Sequence, residues 1–446
     1  MTQDYNTFRT GFTGFTIVWI GQLVSMLSTG VTRFAITIWV YQQTESATAL
    51  ALVAFFAFAP LVIMSPIAGV LVDRWNRKLV LALSDLGAGL ATIFLLFMFS
   101  TGNLQLWHVY VAGAIASTFE AFQFPAFSAA TTLMLNKEQF GRASGMLSTA
   151  NAASQVVAPI LGGLLLPLIG LNGIFSLDIA TFVFALLCIA VVFIPRPEAD
   201  QTAQESNFWQ DTLFGFKYIF ERPSLLGMQI AFSTFNFIGS FGIVLLAPYV
   251  LARTAGSEIM LGTAQSAAGI GALSGGILMS MWGGPKRKAN GVFLGMASAA
   301  LFGTVLLGIG QNINIWAVAA FANLFTIPIM NGSNQAIWQS KVPPQLQGRV
   351  FATRRLIAQI TLPIAMLVSG VLADNVFEPA LQPDGALAPA FGWLVGTGDG
   401  AGIGLILVGA GILSVIAALS CYAFPVVRDI EDLLPDFDEA AVLTKP

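Results

Sequence analysis

The sequence predicts an all-α integral membrane protein in which twelve transmembrane helices form two pseudo-symmetric six-helix bundles. Three observations predict this fold class. Of the 446 residues, 56% are hydrophobic and only 10% are charged, whereas a soluble globular chain carries about 25% charged residues. The apolar residues form continuous runs of spanning length, and the mean hydropathy is +0.77. The Lys and Arg residues concentrate in every second segment between those runs, as expected of cytoplasmic loops.

This composition excludes several classes of protein and of site. Soluble enzymes, secreted disulfide scaffolds, collagens and disordered chains are all less apolar than this chain. The net charge of −3 comes without a basic run, so no nucleic-acid partner is expected. The cysteines, Cys188 and Cys421, lie inside apolar runs and are predicted to be packing residues. One histidine, His108, cannot build a metal site or a catalytic triad alone, so no metal, cofactor or enzymatic activity is predicted.

The predicted spans follow from the length of the apolar runs, since a transmembrane helix needs about 20 apolar residues. The first run has spanning length and lacks a small-residue cleavage site, so it is predicted to be a helix and not a signal peptide. The twelve runs are Phe12–Trp39, Ala47–Val72, Leu79–Ser100, Leu106–Thr132, Ala143–Leu168, Ile174–Ile194, Leu225–Leu251, Ile259–Trp282, Gly291–Ile309, Ile315–Gln339, Ile357–Ala373 and Ile403–Phe424.

The placement of Lys and Arg sets the orientation of these spans. With both termini in the cytoplasm, 18 of the 20 Lys and Arg residues fall on the cytoplasmic side. The exceptions are Arg33, inside the first span, and Arg253, at the outer end of the seventh. The sequence therefore predicts a multi-pass protein with both termini cytoplasmic. A bacterial plasma (inner) membrane is the expected location, and a monomer is expected.

Four regions are predicted along the chain. Residues 1–194 form an N-terminal six-helix bundle, and residues 225–424 form a C-terminal one. Residues 195–224 are a cytoplasmic linker in which Phe208, Leu213, Phe216 and Phe220 recur at helical spacing, which predicts an amphipathic helix at the membrane surface. Residues 425–446 are an acidic cytoplasmic tail.

The two bundles are predicted to be similar because several features coincide after a shift of 207 residues. Each coincidence falls at the same place in the span order of its half. Two similar halves related by an axis along the membrane normal are one known transporter architecture, with substrate near the midplane between them. The coinciding positions are Gln22 with Gln229, Gly69 with Gly276, Gly141–Arg142 with Gly348–Arg349, and Gly163 with Gly370.

The loop between the second and third spans carries the sharpest local pattern, Gly69-Val70-Leu71-Val72-Asp73-Arg74-Trp75-Asn76-Arg77-Lys78. An acid and three cations at a helix end can pair with another helix terminus, so Gly69, Asp73, Arg74, Arg77 and Lys78 are predicted to latch one conformation. The pattern resembles the signature loop of the major facilitator superfamily, G-x-L-x-D-R-x-x-R-[K/R]. The copy in the second half, with the cations Lys286-Arg287-Lys288, lacks the acid, so a one-sided latch is expected.

A second motif lies in the fifth span, Ala158-Pro159-Ile160-Leu161-Gly162-Gly163. Pro159, Gly162 and Gly163 are predicted to soften the helix and to allow tight packing against a partner. The motif resembles the antiporter motif of exporters in the same superfamily. Further stretches, among them Phe119–Ala126 and Gly396–Gly404, resemble the branch of macrolide and enterobactin exporters. The resemblance implies the major facilitator fold, secondary transport and proton-coupled export.

Ionisable residues inside spans are costly and are functional candidates by default. Glu120 lies thirteen residues from Trp107, or about 20 Å at the α-helical rise, so it is placed near the midplane and is the first candidate for proton coupling. Asp85 and Asp178 are the other candidates. Structural roles are favoured for these two, with Asp85 as a partner of the Arg74 and Arg77 cluster.

Polar residues at helical spacing predict a substrate cavity. The resemblance implies that the first, fourth, seventh and tenth spans line it, and its polar side chains could instead be hydrogen-bonding glue between helices. Arg33 would attract an anionic group of the substrate or neutralise Glu120. The candidate cavity residues are Gln22, Ser25, Thr29, Arg33, Gln229, Ser233, Asn236, Asn331 and Asn334.

The leading functional interpretation is a secondary active transporter. It is a proton-coupled exporter, or antiporter, of an amphipathic small molecule such as a drug, a macrolide or a siderophore, and it works by alternating access. The expected partners are the small-molecule substrate, protons and the lipid bilayer. The alternatives are a nutrient symporter and a lysolipid translocator of the same fold.

Overall fold

The computed structural model describes residues 10–136, 139–195 and 208–436, and within these ranges the regular structure is helical. The main helices lie at the predicted spans and at the predicted linker helix, except for two short helices, Glu378–Ala380 and Ala388–Val395, between the eleventh and twelfth predicted spans. They are α1 (Gly11–Thr44), α2 (Ala47–Arg74), α3 (Arg77–Ser100), α4 (Leu106–Met134), α5 (Phe140–Val191), α6 (Phe208–Phe220), α7 (Pro223–Arg253), α8 (Glu258–Trp282), α9 (Lys288–Ser298), α10 (Leu306–Ile309), α11 (Ile313–Lys341), α12 (Pro344–Leu372), α13 (Glu378–Ala380), α14 (Ala388–Val395) and α15 (Ala401–Ser420).

Nine helices of the described residues are long and apolar enough to cross a membrane. One of them, α5, holds two predicted spans, because its backbone leaves the helical region at Gly170 with φ 63° and ψ 179°, a conformation that glycine adopts at little cost. The helices α4 and α8 coincide with the fourth and eighth predicted spans and have 29 and 25 residues. Their polar residues lower their hydropathy, and for these two the spanning role stays a prediction.

The matching residues that are 207 positions apart lie in corresponding helices of the two halves. Gln22 and Gln229 lie in α1 and α7, and both are buried. The Gly141–Arg142 pair lies in the first turn of α5 and the Gly348–Arg349 pair near the start of α12. Within the described residues, these paired positions therefore lie in equivalent helices of the two halves.

The first of two compact units comprises the described residues up to 195, together with Gly256–Ser266 at the start of α8. In this unit α1 packs along α5, and α4 packs along both α2 and α3. Small residues allow the close approach of α1 and α5, since a Cβ added to Gly30 would lie 2.6 Å from the Cβ of Ala158. A Cβ added to Gly21 would likewise lie 2.9 Å from the Cβ of Cys188. The buried, free Cys188 is therefore a packing residue.

The second unit comprises residues 208–255 and 267–436 of the described chain. Its core lies between α7, α9, α11, α12 and α15, around fully buried side chains such as Phe293 and Trp338. The helix at the ninth predicted span runs over Lys288–Ile309 and includes a π-helical segment, Ala299–Val305. The hydroxyl of the buried Tyr249 donates to the carbonyl oxygen of Gly310 at 2.7 Å, which joins α7 to the end of this helix.

The linker helix α6 packs on α12 through one face. Tyr218 and Ile219 are buried there, whereas Leu213 and Phe220 are exposed. An exposed apolar side on a short helix fits the predicted amphipathic helix, and its position at a membrane surface stays a prediction.

Candidate functional site

Asp85 of α3 forms a buried hydrogen-bonded cluster with two glutamines. Gln22 of α1 donates to its Oδ2 at 2.7 Å, and Gln123 of α4 donates to its Oδ1 at 2.7 Å. Gln123 also donates to the Oε1 of Gln22 at 2.9 Å. The expectation placed Asp85 beside the Arg74 and Arg77 cluster, but its described partners are these neutral amides. The cluster joins three helices and keeps Gln22 away from any open surface.

Asp178, in the second half of α5, forms a similar buried junction. The hydroxyl of Thr29 in α1 donates to its Oδ1 at 3.1 Å, and the hydroxyl of Thr92 in α3 donates to its Oδ2 at 2.9 Å. Asp178 is 5% exposed. Neutral donors on two helices thus hold this carboxyl group, as they hold Asp85.

Glu120 of α4 differs from these two acids in two ways. Its described partner is a cation, and its side chain is partly exposed. The Nη2 of Arg33 in α1 lies 2.5 Å from its Oε2, and the side chains of Arg33 and Glu120 are 56% and 34% exposed. The sequence led us to expect Glu120 near the midplane of the fourth span. Its side chain lies at a partly exposed surface of the first unit, beside Arg33.

A cavity of about 760 Å³ lies within the second unit, between α7, α11 and α12. Two of the predicted cavity residues, Asn236 and Asn331, line it. Gln229 does not, and its amide donates to the Ser233 hydroxyl at 3.3 Å and to the Arg354 carbonyl at 3.2 Å.

Asn334 is also outside the lining, since it is 1% exposed. Its Oδ1 is buried without a hydrogen-bond partner among the described residues. In the first unit, Ser25 is half-buried on α1. Some of the predicted cavity residues therefore lie in contacts between helices, and others line the cavity.

The sequence analysis did not identify Arg354, Arg355 and Gln359 as cavity residues. The eleventh span was predicted to begin at Ile357, which left both arginines in a cytoplasmic loop. The helix begins at Pro344, so both arginines lie inside α12 and line the cavity. The Pro343-Pro344 pair is the signal that could have identified this start, because proline is favoured in the first turn of a helix.

The predicted latch begins at the end of α2. Its residues Gly69, Asp73 and Arg74 belong to this helix, and their surroundings are outside the described part of the structure. The Nζ of Lys78 donates to the carbonyl oxygens of Ala190 at 2.9 Å and Val192 at 2.7 Å. Lys78 thus caps the end of α5, where a cation is favourable.

The side chain of Arg77 is the other described member of the latch. Its Nε is buried and has no hydrogen-bond partner among the described residues. This part of the chain therefore joins the start of α3 to the end of α5, and its role in switching stays a prediction.

The copy of this loop in the second unit does have acidic partners, which come from the C-terminal segment, residues 425–436. The carboxylate of Glu431 accepts from the backbone N–H groups of Lys288 at 3.1 Å and Ala289 at 2.9 Å, at the start of α9. The Nζ of Lys341, at the end of α11, lies 2.9 Å from an oxygen of Asp436. The segment therefore ties together the ends of α9 and α11.

The segment also contains α16 (Pro425–Arg428) and α17 (Ile430–Leu433), and Ile430 is fully buried. Arg428 donates a hydrogen bond to Asp429, which holds the pKa of this half-buried carboxyl group below its usual value. The described part of the predicted acidic tail is thus packed against its unit.

The packing motif of α5 faces two helices. A Cβ on Gly162 would meet the ring of Phe34 in α1, and a Cβ on Gly163 would lie 3.3 Å from the carbonyl oxygen of Glu258 at the start of α8. A Cβ on Gly262 would lie 2.8 Å from the carbonyl oxygen of Pro159. The small residues of both helices therefore bring their backbones close together.

Comparisons with known proteins give a consistent result. The family model described as Major Facilitator Superfamily matches residues 18–375. The chain is 26% identical to "Macrolide efflux protein A" of Streptococcus pyogenes over 379 residues, which is 84% of this chain and 92% of that protein. It is 24% identical to "Enterobactin exporter EntS" of Shigella flexneri over 215 residues, or 48% and 52% of the two chains.

Among solved structures, a POT family transporter in complex with a thioalcohol conjugated peptide has a TM-score of 0.68 at 14% identity. The match covers 95% of this chain and 99% of that one. This similarity shows a shared fold.

Proposed function

Because the chain belongs to the Major Facilitator Superfamily, we propose that this multi-pass membrane transporter is a proton-coupled exporter of an amphipathic small molecule. It works by alternating access as a monomer in a bacterial inner membrane, with both termini cytoplasmic. Two relatives named for efflux or export, of a macrolide and of enterobactin, support the direction of transport and an organic substrate such as a drug, a macrolide or a siderophore.

The observation that carries the proton coupling is the ion pair between Arg33 and Glu120. It connects α1 with α4, and both side chains are partly exposed. When Glu120 takes a proton, the carboxylate loses its charge and Arg33 loses its partner. Binding and release of one proton then changes the attraction between two helices, which is the differential interaction that a conformational change requires.

The two buried acids suit structural roles better than proton exchange. Asp85 and Asp178 are each 5% exposed and are held by neutral donors from two helices. A proton must reach its site from water, and these junctions offer no such access within the first unit. Asp73 and Arg77 are proposed to control the switch between conformations rather than substrate affinity.

An efflux assay tests this function. Cells that lack their own exporters receive the wild-type gene, an empty vector or the Glu120→Gln variant, and the accumulation of a panel of macrolides, dyes and siderophores is measured with and without a protonophore. We expect the wild type to lower accumulation of at least one compound and the protonophore to abolish this effect. Raised accumulation would indicate import, and an unchanged effect with the protonophore would exclude proton coupling.

A further inference from the structure

The cavity of the second unit carries positive charge without an acid in its wall. Among the described residues, its lining includes Arg354 and Arg355 from α12 and contains neither aspartate nor glutamate. Within the described ranges, neither arginine forms an ion pair with a carboxylate, and the described partner of the Arg354 side chain is an amide oxygen of Gln335, 2.9 Å from Nη1. Arg354 lies in a helix that is long and apolar enough to cross a membrane, and an ionisable residue with neutral partners in such a helix is a functional candidate by default.

We infer that this cavity binds an amphipathic organic anion and that Arg354 and Arg355 recognise its carboxylate, sulfonate or similar group. This substrate class rests on the proposed export function. Guanidinium groups match planar anions with paired N–H donors. A bound anion would supply the counter-charge that no described residue supplies to these two arginines.

The geometry of Arg354 suits recognition because its guanidinium group is held in place. The hydrogen bond to Gln335 fixes one nitrogen, and its Cζ lies 5.0 Å from the centre of the Trp338 ring. This arrangement leaves the other N–H groups for a ligand. Arg355, the next residue, is exposed and adds a second positive charge at the cavity.

The rest of the wall suits the apolar body of such a ligand. Phe232, Phe235, Ile327 and Phe351 contribute apolar surface. Its volume of about 760 Å³ lies in the range of roughly 300–1,000 Å³ that is typical of small-molecule sites. Among described residues, no hydrogen bond engages the side-chain amide of Gln359, so this lining group is available to a polar part of the ligand.

The same reasoning gives Arg33 a different role. Arg33 also lies within a span, but Glu120 neutralises it at 2.5 Å. The attraction for an anion that the sequence suggested for Arg33 therefore belongs to Arg354 and Arg355.

Equilibrium binding of two dyes with one ring system tests this inference. Fluorescein is an anion at neutral pH, and tetramethylrhodamine methyl ester is a cation on the same xanthene scaffold. Their fluorescence anisotropy is measured with purified protein in nanodiscs, and empty nanodiscs provide the background. The variants are Arg354→Gln, Arg355→Gln and Arg354→Lys, and the control is Lys217→Gln, which removes an exposed cation of α6.

We expect the wild type and the Lys217→Gln control to bind fluorescein at least tenfold more tightly than the cationic dye. Arg354→Gln should weaken fluorescein binding roughly tenfold to a hundredfold and leave the cationic dye unaffected or bound more tightly. Arg354→Lys should restore part of the loss. If Arg354→Gln does not fold, Arg355→Gln provides the same comparison.

Three outcomes would overturn the inference: equal binding of both dyes, preference for the cation, or binding of neither. An equal loss of both dyes in Arg354→Gln would overturn it as well. The measurement needs no proton gradient and no direction of transport. Its failure is therefore distinguishable from failure of the export proposal, which the efflux assay reports.

Discussion

Arg33 of α1 and Glu120 of α4 form an ion pair in which Nη2 lies 2.5 Å from Oε2. Charged side chains within a membrane span are costly to place there. Stability alone is therefore a weak reason for two charges within predicted spans. Arg253, the other exception to the charge bias of the loops, has a structural contact, because it donates to the carbonyl oxygen of Val395 at the end of α14.

The first prediction concerns Arg33→Ala. Because Arg33 pairs with Glu120, its removal should reduce transport of anionic, neutral and cationic substrates alike and should shift the pH dependence of transport. Transport into inside-out vesicles, measured in a series of buffers from acidic to alkaline pH, reports both effects. Lys217→Gln serves as the control for loss of one positive charge. A loss confined to anionic substrates would assign Arg33 to the substrate instead.

The second prediction concerns the buried cluster around Asp85. Gln123→Leu removes donors from both Asp85 and Gln22, and unsatisfied buried polar groups cost about 1–3 kcal/mol. We expect a lower melting temperature in detergent, and transport that falls only in proportion to the folded protein. Gln155→Leu, an exposed position on α5, should melt like the wild type. A Gln123→Leu variant with normal stability and no transport would instead place this cluster in the proton pathway.

The third prediction concerns the contact between α5 and the start of α8. In Gly262→Ala the added Cβ would lie 2.8 Å from the carbonyl oxygen of Pro159, and overpacking of this kind costs about 1–3 kcal/mol. Gly145→Ala on α5 is the matched control, since a Cβ there meets nothing within 4 Å. Gly262→Ala should therefore have a lower melting temperature than Gly145→Ala. Equal stability of both would show that the helices are further apart than described.

The fourth prediction concerns the C-terminal segment. Glu431→Ala removes the acceptor for two backbone N–H groups at the start of α9, and loss of a capping side chain costs about 0.5–2 kcal/mol. We expect a lower melting temperature and faster proteolysis of the chain end. Asp384→Ala, at an exposed loop position, is the control. If Glu431→Ala behaves like this control, the segment does not stabilise its unit.

Much of the fold follows from apolar run length. The break at Gly170 falls between the fifth and sixth predicted spans, where a glycine separates two long apolar runs. The start of α12 was placed too late, because hydropathy assigns Arg354 and Arg355 to a loop although Pro344 opens the helix. A boundary based on hydropathy therefore separates these two arginines from the helix that contains them.

The candidate site was less predictable. The sequence singled out Glu120, Asp85 and Asp178, since acids in spans are rare. It could not indicate which of them meets a cation, because that depends on how each helix is rotated about its axis. Periodicity places Gln22 and Arg33 on one face of α1, yet Gln22 is buried against Asp85 while Arg33 is exposed.

Proton movement driven by substrate tests the central claim most directly. Purified protein is reconstituted into liposomes that contain a pH-sensitive dye, and a substrate gradient is imposed without a pH gradient. The wild type and Glu221→Gln, which changes an exposed acid next to α6, should move protons in the direction opposite to the substrate. Glu120→Gln should bind substrate but move protons at least tenfold more slowly. Proton movement along with the substrate, or an unchanged rate in Glu120→Gln, would contradict the account.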